Sequence, residues 1–213
     1  FSVEFAEHRI YNPGESTKNI DWKVYARTDK LFTKKFEEET NLRCRIVMDV
    51  SSSMYFPKDE ENNKLRFSTL ASAALMNLMS RQRDAFGLTT FDSAIRYHGP
   101  SKSKSSHFHM LLNKLEDNLN ADKLNKETSA VKVLHEIADS IPRRSLVIIF
   151  SDMLENPENL QPMLSALQHL KHNKHEVILF HVVDEAKELD FDFENRPYQF
   201  IDMETGDQVK LRS

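Results

Sequence analysis

Asp49, Ser51, Ser53, Thr128 and Asp152 have the types and the spacing to hold a cation. The first three alternate in Asp49-Val50-Ser51-Ser52-Ser53. On an extended or gently turning segment, alternate side chains point the same way, so one carboxylate and two hydroxyls converge. Asp152 adds a second carboxylate just after the apolar run Leu146–Phe150, which ends in Ser151-Asp152. Thr128 stands at the start of a predicted helix and offers a further hydroxyl. All five donate oxygen. Such sets suit Mg2+, Mn2+ or Ca2+ rather than zinc, and Mg2+ takes one or two carboxylates and keeps several waters. A competing reading is structural, because Asp, Ser and Thr also cap helices. Asp49 or Ser53 would then cap the helix that follows, and Thr128 its own.

These side chains meet only if strand ends bring them together. The run Arg45–Val50 reads as a buried parallel strand ending in a Ser cluster. A helix is expected over 64–83, with Leu65, Leu70, Ala74, Leu75, Leu78 and Met79 at helical spacing. Strands over 85–91 and 94–98 join through Asp92-Ser93. Helices follow over 107–119 and 129–140, and Pro142 ends the second. Strand 146–150 precedes a helix that Pro157 opens and that runs to His172. A strand over 177–183 and a hairpin of 198–202 with 208–211 around Glu204-Thr205-Gly206-Asp207 complete the order. Alternation of this kind predicts a doubly wound, mostly parallel α/β sheet with helices on both faces. Ligands in such sheets bind beyond the carboxyl ends of strands, where strand order reverses. Residues 1–43 form an N-terminal extension packed on the core, and 44–213 the α/β domain.

Composition removes several classes. Only four glycines occur in 213 residues, none spaced for a dinucleotide or ATP cradle. One cysteine, Cys44, excludes an internal disulfide and fits a reducing compartment. The net charge of −4 is well interspersed and gives no basic field for nucleic acid. No apolar run approaches the roughly 20 residues a membrane helix needs. No signal peptide is visible, although the chain starts with Phe, and a cytoplasmic location is expected. Asp92 reads as a turn residue. His169, His172 and His175 read as a helix end and a strand start. Trp22 and Tyr25 are expected on the core, with Asp21 paired to Arg9 or Arg27.

The D-x-S-x-S run, the later Thr and the strand-terminal Asp resemble the metal-ion-dependent adhesion site of von Willebrand factor A domains. That resemblance implies a doubly wound α/β fold and a metal held by Asp49, Ser51, Ser53, Thr128 and Asp152. Further residues narrow it: Glu4-Phe5, Arg9-Ile10-Tyr11, Pro13-Gly14, Ile20 to Arg27, Phe36 to Glu39 and Met48 to Met54. Together they are similar to the signature of the bacterial domain of unknown function 58 family. The resemblance implies association with a MoxR-type AAA+ ATPase.

The expected function is a non-enzymatic, divalent-cation-dependent protein-binding module acting in complex assembly or stress response. Mg2+, or Mn2+ or Ca2+, would keep an open position for a partner's Asp or Glu. The alternatives are a metal-dependent hydrolase or phosphatase using Asp49, and a scaffold with a vestigial site. Against the hydrolase, no Lys, His or second Asp follows Asp49 at close range to act as acid or base.

Overall fold

The computed structural model describes residues 2–39, 42–57, 63–120, 130–153, 160–194, 196–201 and 208–212. Its contacts divide the chain into two units, Phe1–Asn41 and Leu42–Ser213.

In the first unit, β1 (Ser2–Ile10) is followed by the short helix α1 (Trp22–Thr28) and by β2 (Phe32–Glu39), which pairs antiparallel with β1. Asp21 starts α1 because its Oδ1 accepts from the backbone N–H of Lys23 and Val24, at 3.0 and 3.3 Å. Its Oδ2 lies 3.0 Å from His8 Nε2 and 3.3 Å from Lys34 Nζ. The His8 contact, with these N–H groups and Lys34, holds the Asp21 carboxyl well below the usual range. The expected arginine partners are therefore replaced. His8 and Lys34 face each other in the β1–β2 register and converge on Asp21, while Arg9 lies 3.8 Å from Glu15. Trp22 is 61% exposed and Tyr25 38%, and the two rings meet edge-on.

The second unit runs β3 (Arg43–Asp49), α2 (Lys64–Arg81), β4 (Ala85–Phe91), β5 (Ile95–His98), α3 (Ser105–Leu119), α4 (Ala130–Ser140), β6 (Leu146–Ser151), α5 (Leu160–His172) and β7 (Glu176–His181). A separate antiparallel hairpin, β8 (Pro197–Ile201) with β9 (Gln208–Arg212), follows where the sequence places one. Its turn residues lie outside the described residues, as do Ser129 and Pro157.

The five-stranded sheet has the order β5-β4-β3-β6-β7. Only β4 and β5 pair antiparallel; β3 is parallel to β4 and β6, and β6 to β7. Successive side chains of a strand face opposite sides. Cys44, Ile46 and Met48 thus join Phe86, Leu88, Ile148 and Phe150 under α2 and α3. Val47, Val147 and Ile149 join Phe91 under α4 and α5. Burial on both faces explains the unbroken apolar runs of β3 and β6. The result is a mixed α/β unit with a mostly parallel sheet flanked by helices.

Three details differ from the sequence expectation. The buried face of α2 is Leu65, Ser68, Thr69, Ser72, Met76 and Met79, and Leu70 and Leu78 point outward at 62% and 51% exposure. Small hydroxyl residues allow the helix to approach the sheet, which an apolar count misses. Strand β7 is the sheet edge, so Ile178 and Phe180 stay 44% and 41% exposed despite a run as apolar as that of β6. Arg45, counted at the start of an apolar run, is buried and donates to the carbonyls of Leu88 and Gly99. Its guanidinium crosses Gly87, where a Cβ would stand 2.7 Å from Arg45 Nη1.

Candidate functional site

The chain builds β3, β4 and β5 outward to one side, then crosses to place β6 and β7 on the other. Strand order therefore reverses between β3 and β6, and a crevice is expected beyond their carboxyl ends. Asp49 ends β3, and Ser151 ends β6 with Asp152 next.

Asp49 is fully buried. Its Oδ1 accepts from the backbone N–H of Ser51 at 2.9 Å, and its Oδ2 accepts from the Ser151 hydroxyl at 2.7 Å. The carboxylate is thus clamped by its own turn and by the adjacent strand. Ser51 and Ser53 are buried with their Oγ atoms 3.0 Å apart. A single 3-10 turn, Ser52–Tyr55, follows. Helix α2 begins later, and Asn63 caps it by accepting from Arg66 N–H at 2.8 Å. Neither Asp49 nor Ser53 serves as its cap.

Asp152 is also buried. Its Oδ2 accepts from Lys64 Nζ at 2.8 Å, and its backbone oxygen lies 3.0 Å from His181 Nε2. Lys64 donates to Glu188 Oε1 as well, at 2.7 Å, and its ammonium stands 5.7 Å from the Phe56 ring centre. Thr128 lies outside the described residues. Asp92 follows β4 on the same rim and behaves as a turn residue, accepting from Ala94 N–H and pairing with Arg96 Nε at 2.6 Å. Of the three spaced histidines, His172 is exposed, His169 lies 3.0 Å from His135 Nδ1 to Nδ1, and His175 Nδ1 accepts from Ser145 N–H.

Burial, reinforced by the Asp152 charge, pushes the Asp49 carboxyl up to about 7. Its hydrogen bonds offset only part of this. Among the described residues, no cationic side chain pairs with Asp49, since Lys64 reaches Asp152 instead. The rim thus lacks positive charge at Asp49. Among the described residues no group of three or more His, Cys, Asp or Glu is arranged to hold a metal, so any ion here depends on hydroxyls beside two carboxylates. Hard oxygen donors around an uncompensated carboxylate are the chemistry a divalent cation suits.

Sequence reading missed three participants. Ser151 reaches Asp49 across the strand pair, Lys64 comes from the first turn of α2, and Glu188 from a π-helical turn, Glu185–Leu189. Only the Ser-Asp pair after β6 hinted at the first. No lysine follows Asp49 at close range in sequence, and Lys64 comes to the neighbouring Asp152 instead. Lys64 is remote from Asp152 in sequence, and the α2 N-terminus delivers it to the rim.

The fold and rim define a mixed α/β protein with a buried, carboxylate-bearing polar cluster at the reversal of strand order. The chain belongs to the family described as protein of unknown function DUF58, whose profile matches residues 7–213. The uncharacterized proteins Mb1516 of Mycobacterium bovis and Rv1480 of Mycobacterium tuberculosis are each 26% identical to it over 181 residues. Those matches take in 85% of this chain and 55% of each relative, so the chain spans about half the length of the curated relatives it matches. Two solved structures share its fold. One is an aerotolerance-related membrane protein from Bacteroides fragilis, with TM-score 0.51, 14% identity, and 80% of this chain and 81% of that chain covered. The other is the conserved hypothetical protein BatB from Bacteroides thetaiotaomicron, with TM-score 0.51, 13% identity and 80% of both chains covered. Among the described residues, no helix is long and apolar enough to cross a membrane.

Proposed function

We propose that this protein is a von Willebrand factor A-like, divalent-cation-dependent protein-binding module rather than an enzyme. One observation carries the reading: Asp49, Ser51, Ser53 and Asp152 cluster at adjacent strand ends, and Asp49 is buried with no cationic partner among the described residues. In this reading Asp49, Ser51, Ser53 and Asp152, with Thr128, hold Mg2+, Mn2+ or Ca2+. The bound ion supplies a Lewis-acidic position for a carboxylate from a partner. Ser151 and the Ser51 N–H orient Asp49, and the neutral hydroxyls hold charge without cancelling it. A cytoplasmic location and a MoxR-type AAA+ ATPase as the partner offering Asp or Glu, in complex assembly or stress response, belong to the same proposal.

The hydrolase alternative gains a nearby lysine but needs Asp49 as a nucleophile or base. A fully buried carboxylate clamped by two hydrogen bonds is poorly placed to attack a substrate. Calorimetric titration of Mg2+ and Mn2+ into chelator-treated protein, beside Asp49→Ala, tests the proposal. Binding by the wild type and none by the variant is expected, with unchanged circular dichroism. Equal behaviour of the two proteins would refute it.

A further inference from the structure

Lys64 places a fixed positive charge beside the candidate cation position. Its ammonium is 2% exposed and sits between two carboxylates, 2.8 Å from Asp152 Oδ2 and 2.7 Å from Glu188 Oε1. A buried ammonium persists only where such partners offset its lost hydration. One of those partners, Asp152, is also a carboxylate the proposed ion would use. Two cations that need the same oxygen compete for it.

Glu188 extends the contact outward. It lies in the Glu185–Leu189 turn, and its Oε2 accepts from the Asp184 N–H at 2.7 Å. Asp184 in turn starts that turn by accepting from Lys187 N–H at 2.8 Å. The turn is therefore fastened to Asp152 through Lys64. The charges are also informative. Asp152 and Glu188 share one ammonium, and Asp49 adds a buried carboxyl that this ammonium does not pair with.

We infer that Lys64 is an affinity-setting counter-cation: it competes with the divalent ion for Asp152 and links that competition to the Glu185–Leu189 turn. The inference rests on the cation-binding reading above. When the ion takes Asp152, Lys64 is left to Glu188, and the tie between turn and rim loosens. Glu188 conversely draws Lys64 away from Asp152 and so favours the ion.

The test measures Mg2+ affinity by calorimetry and backbone amide exchange by mass spectrometry on the whole chain. Wild type, Lys64→Met, Glu188→Gln and Asp49→Ala are compared. Lys64→Met is expected to bind Mg2+ at least about tenfold more tightly, a change worth roughly 1.4 kcal/mol. Glu188→Gln is expected to bind it severalfold more weakly, since Lys64 then settles on Asp152. Mg2+ should speed exchange across 185–189 in the wild type, and exchange there should be fast in Lys64→Met with or without Mg2+. A merely structural role for Lys64 would weaken binding in both variants. Binding by wild type with no gain in Lys64→Met overturns the inference alone. No Mg2+ or Mn2+ binding by any of these proteins overturns it together with the reading it rests on. Should Lys64→Met not fold, a Glu188→Gln affinity equal to or above wild type, or unchanged exchange at 185–189, still overturns it.

Discussion

Asp49→Asn should make the cation-free protein more stable at alkaline pH while abolishing cation binding. The Asp49 carboxyl is raised from 3.8 to about 7 in the fold, chiefly by burial and secondly by Asp152. Between those values the folded form keeps a proton that the unfolded form has lost. Stability from this group is complete below about pH 4 and disappears as pH rises through about 7, falling about 1.4 kcal/mol per unit. Roughly three units give about 4 kcal/mol as an upper figure. Asparagine carries no charge to bury, keeps an oxygen for the Ser51 N–H and turns an N–H toward the Ser151 hydroxyl. Urea unfolding with chelator from pH 4 to 8.5 is the assay. The two proteins should match within about 1 kcal/mol near pH 4, and the variant should lead by about 2–4 kcal/mol at pH 8. Saturating Mg2+ should recover wild-type stability at pH 8 and leave the variant unmoved. Parallel pH profiles, or a variant weaker than wild type at pH 8, would refute the assignment of an uncompensated charge to Asp49.

Two more outcomes follow from the core. Cys44 is fully buried and its thiol is pushed up to about 12, mainly by burial, so it should resist a disulfide reagent at pH 8 until urea unfolds the sheet. Fast labelling of native protein would contradict its place in β3. Met76→Ala should cost about 2–5 kcal/mol and Leu70→Ala under about 1 kcal/mol, because Met76 is buried against the sheet and Leu70 is 62% exposed. Equal losses in urea unfolding would mean that α2 presents a different face.

Local pattern carried much of this fold. The apolar runs 45–50 and 146–150 read as central strands because a strand covered on both faces has no polar side to alternate with. The α2, α3, α4 and α5 helices follow from spacing within a few turns, and the β8–β9 hairpin from its flanking residues. A single local turn brings Ser51 beside Ser53, because the two are close in sequence and Ser51 starts the 3-10 turn that holds Ser53. Tertiary structure decided what no window contains. Whether a run lies at the edge or centre of a sheet depends on strand order, which left Ile178 and Phe180 half exposed and Ile148 and Phe150 buried. The α2 face depends on which side chains let the helix approach the sheet, and serines and threonine won over leucines there. Asp21 takes partners from two strands whose register brings His8 opposite Lys34. The rim charges are the furthest from legible. Ser151 lies 102 residues from Asp49, and Lys64 lies 88 residues from Asp152 and 124 from Glu188. No periodicity joins them; the closing of the sheet around β3 and β6 does, and burial then leaves Asp49 with no cationic partner among the described residues.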